Sequence, residues 1–412
     1  EGGQHWGCLV RFAELILNNP ENIKLEFGDE VLVRNAIKNC LGSIASIIPD
    51  LQKLADLQCE SKGLLVETIL YAACIEIMRE SGSLEGVERP LLLALRTNLN
   101  VGYNAVSQDE VNTLKSEVDR LLFSDVESAE KFLLEYVEPQ LAQNKCAHPK
   151  VGLLKYDEVF SPLQAKLSIE WLEGYDQLES YALNTLFEMA AQYADRERLK
   201  SIIELRCSQF LFGQSESNDD KQLEQRRKFW FVRAFYFLSI EQAEPYWNWL
   251  TGDKNSILLL NERSSRMNRS DHLYWPELTS YKVCAILEAF FEQWPKVQLP
   301  SNWGTGSPVG ETAYRFLTDI IWSIGNDSPD EAIPVLHKLL AEPHFYDIHI
   351  PLKSIQAEQL RKKALRDFKP PTSKKIVDLL DNNDVVTVEG LRQLILLELI
   401  SYQKDIDGGE FN

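Results

Sequence analysis

"SPDEAIPVLHKLLAEP", residues 328–343, reads as one complete amphipathic helix carrying its own start signal. A serine at the N-cap accepts hydrogen bonds from the first free helical N–H groups, and proline at the next position gives up only an N–H that has no partner anyway. Glu331 stands three residues after Ser328 and completes the S-x-x-E box, whose carboxylate reaches back to the cap. Ala332, Val335, Leu336 and Leu339 then recur at helical spacing and form one apolar face. The same dipeptide announces helices at Ser161-Pro162, with Gln164 in the box position, and at Ser307-Pro308.

Helical spacing of apolar residues continues over nearly the whole chain, and long alternating strand patterns are scarce, so the expected fold class is all-α. In "SYKVCAILEAFFEQW" (280–294) the expected face is Tyr281, Cys284, Leu287, Phe291 and Trp294, with Lys282, Glu288 and Glu292 off it. Leu391, Leu394, Ile395 and Leu399 make a similar face near the end. "FWFVRAFYFL" (229–238) is apolar nearly all round, which predicts a helix buried on several sides with Arg233 hydrogen-bonded inside. Pro139, Pro245 and Pro334 lie within helical patterns and are expected to bend or break them, since each removes an intrahelical bond.

Ser307 and Ser328 stand 21 residues apart, half of a helix-pair repeat of roughly 40 residues of the HEAT type. The expected architecture is therefore an elongated HEAT-like helical-repeat solenoid. Its expected organisation is an N-terminal helical region over 1–150, a repeat array over 151–368, and a C-terminal helical pair or linker over 369–412. A chain of 412 residues that is 44% hydrophobic and 25% charged has the balance of a folded protein with ample core. The formal net charge of −19 repels nucleic acid and anionic membrane surfaces, which excludes a general DNA-coating role. Seven cysteines, with no C-x-x-C pair and mostly in apolar surroundings, read as small buried hydrophobes in a reducing cytoplasm. No run reaches the length needed to cross a bilayer, and the chain begins at Glu1, as a piece of a longer protein would.

Chemistry-bearing motifs are few. "GTGSPVGET" (304–312) has the outline of a phosphate-binding loop, but Thr305 stands where glycine is needed and Glu311 where the lysine is needed, which puts a carboxylate against the phosphates. In "HFYDIHI" His344, Asp347 and His349 are the candidate metal ligands, set against a loop between helices. "RKKALRDFKPPTSKK" (361–375) sets Arg361, Lys362, Lys363, Arg366, Lys369, Lys374 and Lys375 against the single Asp367. Three readings stay open for it: docking on an acidic surface of the same chain, local contact with nucleic acid phosphates, or a solvated face. Tyr274, Trp275 and Trp303 are candidate partner anchors, because large rigid rings bury much area at little entropy cost; the alternative is a loop tucked onto its own array.

Two long phrases, "WPKVQLPSNWGTGSPVGETAYRFLTDIIWSIGNDSPDEAIPVLHKLL" and "QAEQLRKKALRDFKPPTSKKIVDLLDNNDVVTVEGLRQLILLELISYQKDIDGGE", resemble the C-terminal helical region of large bacterial NACHT-type NTPases of the STAND class. "FAELILNNPENIKLEFGDEVLVRNAIKNC" looks like a more upstream part of the same proteins. The resemblance implies a nucleotide-binding module ahead of the helical array, a fused effector that is often nuclease-like, detection of invaders such as phage, and oligomerisation on activation. Because the chain has no Walker lysine loop, no Mg²⁺-binding acidic strand and no nuclease carboxylate-lysine set, the implied portion is the non-catalytic helical sensor and scaffold, with no cofactor of its own. Its implied partners are the rest of the same polypeptide and a phage protein. The competing expectations are a helical metal-dependent hydrolase or nuclease built from scattered Asp, Glu and His residues, and a self-standing adaptor.

Overall fold

The computed structural model describes residues 4–143, 146–212, 221–252, 254–261, 274–276, 278–297 and 308–367, together with 381, 392 and 396. Among them every regular element is a helix, α or 3-10, and no strand occurs, so the fold is all-α as the periodicity predicts. Packing divides the chain into two compact units, Glu1–Ile202 and Ile203–Asn412.

The longer helices of the first unit are α1 (Gln4–Asn18), α2 (Glu30–Lys38), α3 (Leu51–Cys59), α4 (Leu65–Ser81), α5 (Arg89–Thr97), α6 (Gln108–Leu122), α7 (Val126–Tyr136), α8 (Gln164–Gly174) and α9 (Ser180–Tyr193), and α10 (Arg196–Phe212) carries the division between units. Helices α1 and α2 pack on α4, α3 on α7, α5 on α6, and α8 on α9. Every residue of α4 from Ile69 to Ile75 is buried, which makes it the central rod of this unit. Gly82 ends it at φ 72°, a left-handed geometry that only glycine takes without strain. Helix α6 starts with a full capping box: Ser107 Oγ accepts from the Glu110 N–H and Glu110 accepts from the Ser107 N–H.

In the second unit the longer helices are α11 (Lys221–Phe237), α12 (Ile240–Thr251), α13 (Ser280–Gln293), α14 (Pro308–Ser323), α15 (Pro329–Ala341) and α16 (His349–Asp367). Helices adjacent in sequence pack on one another, α11 on α12, α13 on α14 and α15 on α16, while α13 also meets α15 and α14 meets α16. Residues 230–238 are all buried, as the all-round apolar pattern predicts. Aromatic rings fill this core: Phe235 stacks on Trp247 at 4.7 Å, Phe231 meets Trp249 at 5.4 Å, Tyr236 meets Trp275 at 5.2 Å, and Phe290 stacks on Phe316 at 5.0 Å. Arg233 is buried among them, its guanidinium 3.4 Å from the Phe229 ring centroid and 4.8 Å from that of Trp275, with Nη1 donating to the Phe229 carbonyl at 3.0 Å.

The start signals fare unequally. Helix α15 begins at Pro329, with Ser328 Oγ accepting from the Glu331 N–H, and Ala332, Val335, Leu336 and Leu339 are all buried. Helix α14 begins at Pro308, and its Ser307 cap lies outside the described residues. Ser161-Pro162 instead sits inside a 3-10 turn, Glu158–Leu163, and Gln164 turns away to donate to the carbonyls of Leu154 (2.9 Å) and Lys155 (3.1 Å). Pro139 falls in the first turn of a new short helix, Glu138–Leu141, so the pattern breaks there, whereas α12 and α15 run on through Pro245 and Pro334.

The face expected for α13 holds in part: Cys284, Leu287 and Phe291 are buried, but Val283, Ile286 and Phe290 are buried with them, Tyr281 is 51% exposed, and Lys282, expected outside, is drawn in. Its ammonium donates to the carbonyls of Phe235, Tyr236 (3.1 Å) and Leu238 (2.7 Å), capping the C-terminal end of α11 where helical carbonyls lack N–H partners. The face expected at Leu391, Leu394, Ile395 and Leu399 lies outside the described residues.

Candidate functional site

The basic run is used up locally wherever it is described. Arg366 makes two bonds to the Asp330 carboxylate, at 2.7 and 3.1 Å, Lys363 reaches the same carboxylate at 3.3 Å, Lys362 donates to the Gly325 carbonyl at 3.2 Å, and Arg361 pairs with Glu358 at 3.0 Å. Hydrogen bonds from Arg366 and then Lys363 hold the Asp330 carboxyl down at about 2. Of the three readings, docking on acidic groups of the same unit describes Lys363 and Arg366; Lys369, Lys374 and Lys375 lie outside the described residues. The pairs are half exposed, so they position the end of α16 on the start of α15 more than they stabilise it.

The remaining candidates are placed as follows. Trp275 is 3% exposed and contributes its ring to the core of its own unit, Tyr274 is 41% exposed, and Trp303 lies outside the described residues. His344, Asp347 and His349 do not converge, and no group of three or more His, Cys, Asp or Glu that could hold a metal forms among the described residues. The His344 ring instead lies tilted against Phe345, with ring centroids 3.8 Å apart, and its Nδ1 is 3.8 Å from a Glu342 oxygen.

A concave site that the sequence does not advertise lies in the first unit. Pro49, Asp50, Leu51, Gln52 and Leu54, at the start of α3, face Pro90, Leu93 and Ala94 of α5 and Glu135 of α7 across an open cleft of about 440 Å³. Its walls are mostly apolar, and the only charged residues lining it are the carboxylates Asp50 and Glu135. Asp50 is the N-cap of α3, one oxygen accepting from the Lys53 N–H at 2.8 Å; Glu135 is 3.7 Å from Lys131, one helical turn back. Ile47 and Leu134, on the segments that supply these walls, are 46% and 36% exposed. An apolar floor with two acidic groups suits a partner that offers an apolar side chain beside a lysine or arginine.

Helix α5 is held by a buried charge cluster as well as by its buried Leu91, Leu92, Ala94 and Leu95. The Arg96 side chain is fully buried; Nε donates to Asp119 of α6 at 2.5 Å and Nη2 to Asp157, and the guanidinium lies 5.3 Å from the Phe160 ring. Lys115 bridges the same two carboxylates at 3.4 and 3.3 Å, so the cluster is neutral. Among the described residues, Nη1 of Arg96 meets no hydrogen-bond acceptor.

A second ion ladder sits beside α4. Buried Glu76 accepts from Arg34 (2.7 Å) and Arg79 (2.8 Å), and Arg79 in turn binds Glu110 (2.7 Å), which joins α2, α4 and α6. The Arg79 hydrogen bond is the main reason that the Glu110 carboxyl is pulled to about 2. Glu117 is also near 2, chiefly through Arg120, and it accepts from Ser83 Oγ and the Leu84 N–H just after α4.

No family model, no curated protein and no solved structure matches this chain. No helix among the described residues is long and apolar enough to cross a membrane.

Proposed function

We propose that this chain is a helical recognition and scaffold segment, and that it serves as the sensor part of a NACHT-type STAND defence NTPase of bacteria, acting in the cytoplasm by protein–protein contact and oligomerisation. The all-helical fold and the packing of sequence-adjacent helices, α8 on α9, α11 on α12 and α15 on α16, support a stack of helix pairs of the HEAT kind. The family part of the reading rests on the resemblance of the quoted phrases.

The observation that carries the recognition role is the cleft between α3, α5 and α7, apolar on its floor and acidic at Asp50 and Glu135. Its partner is a protein segment carrying an apolar side chain next to a basic one, supplied by another module of the same polypeptide or by an invading phage protein. Leu93 is half-buried at this surface, so completing its burial on binding contributes about half of the full leucine value, about 0.8–1.5 kcal/mol or roughly 4- to 12-fold in affinity.

The test uses the complete polypeptide that contains this chain. A photo-crosslinking residue at Gln52 is expected to capture a neighbouring module or the trigger protein, and Leu93→Asp or Glu135→Lys is expected to abolish the crosslink and blunt activation. Undiminished activation in both variants would remove the cleft from the mechanism. ATP hydrolysis or DNA cleavage by the isolated chain would remove the non-catalytic role.

A further inference from the structure

Two of the seven cysteines meet. Cys59 ends α3 and is half-buried; Cys146 lies eighty-odd residues further on and is 3% exposed; the two thiols lie close enough to influence each other. Two side-chain hydrogen bonds bracket the contact: Gln143 Nε2 donates to Asp56 Oδ1 at 2.9 Å, and Gln58 Nε2 donates to the His148 carbonyl at 3.3 Å. The chain around Cys146 is thus laced to the last turn of α3 on both sides of the sulfurs, which keeps the pair in register.

We propose that Cys59 and Cys146 form a reversible disulfide site, in which a low-molecular-weight disulfide of the glutathione type oxidises the pair and staples the end of α3 to the segment carrying Cys146. Accessibility sets the order of events. The Cys59 thiolate attacks one sulfur of the oxidant, forming a mixed disulfide and releasing one thiolate. The Cys146 thiolate then attacks the Cys59 sulfur, forming the Cys59–Cys146 bond and releasing the second thiolate. The two protons lost by the cysteines go to the two released thiolates, so one oxidant disulfide is reduced to two thiols as two protein thiols become one disulfide. The second step is favoured because the bracketing hydrogen bonds hold the two segments side by side. Burial pushes both thiols above their ordinary range, which makes the pair slow to react at neutral pH and makes the reaction accelerate as pH rises.

Cys8 supplies the internal comparison, being exposed and unpaired with another thiol. The intact chain is incubated with graded mixtures of reduced and oxidised glutathione, quenched with acid, alkylated and mapped by peptide mass spectrometry. The expected result is a crosslinked Cys59–Cys146 peptide pair, two hydrogens lighter than the reduced pair, while Cys8 stops at the glutathione adduct. Cys146→Ser is expected to leave glutathione stranded on Cys59, and Cys59→Ser to leave Cys146 unmodified. Should wild-type Cys59 retain glutathione with Cys146 still open to alkylation, or should neither react while the chain stays folded at pH 9, the proposal is overturned.

Discussion

Replacing Arg96 by methionine tests whether the buried charge cluster, rather than apolar packing alone, fixes α5 and hence one wall of the cleft. Methionine keeps most of the volume and removes the guanidinium, so Asp119 and Asp157 lose their common partner while Lys115 still faces both, at 3.4 and 3.3 Å. Breaking a buried ion pair on one side costs about 3–5 kcal/mol, because the charge left behind is poorly solvated. Here the carboxylates keep 14% and 12% exposure and a partial counter-ion, which places the loss at the lower end, about 3 kcal/mol. For a unit of this size that is about 6–12 °C in Tm. Because the chain has two units, a single melting curve does not assign the loss. Hydrogen exchange read peptide by peptide does: α5, α6 and the turn at Asp157 are expected to exchange faster, with the peptides of α13 and α15 unchanged. Adding Asp119→Asn and Asp157→Asn to the methionine variant removes the orphaned charge and is expected to restore much of the loss. A loss under about 1 kcal/mol in the single variant, or a triple variant no more stable than the single, would refute the reasoning.

Lys282→Met is expected to destabilise the second unit by about 3 kcal/mol, seen as faster exchange at the C-terminal end of α11, because three carbonyls there lose a charged donor. Carbon-detected NMR of the carboxyl groups is expected to show Glu110 and Glu117 titrating near 2. Their folded values lie below the unfolded value of about 4.3, so the stabilisation is complete above that pH and is lost as pH falls through about 2; midpoints at 4 or above would contradict the ladder. Gly82→Ala is expected to cost about 1 kcal/mol in urea unfolding, through the left-handed φ alone, since a Cβ there meets no atom within 4 Å.

The elements that could be read in advance are those whose cause is local. Ser328-Pro329 with Glu331 announces α15, and the all-round apolar run at 229–238 announces a buried helix, because caps and periodicity act within one or two turns. Arg233 could be placed inside for the same reason. Lys282 could not, since the carbonyls that draw it in lie at the end of another helix 44 to 47 residues earlier, and the outward turn of Tyr281 could not be read either. Arg96 looks like an ordinary helix cation until Asp119 and Asp157, 23 and 61 residues further on, converge on it. The cleft draws on three separated segments with unremarkable letters, and only their packing makes it concave. Tryptophan at 275 is a fair partner anchor by composition, yet its ring is occupied by Arg233, Tyr236 and Phe237.

The aromatic filling of the second unit has a practical consequence for anyone handling the molecule. Only Trp6 and Trp171 fall before residue 230, and the other seven tryptophans begin with Trp230, so indole emission from the whole chain is chiefly a gauge of the later half. A spectroscopist watching light alone could see the cleft-bearing half come apart with little change in signal, and would need a reporter placed on α3 or α5 to notice.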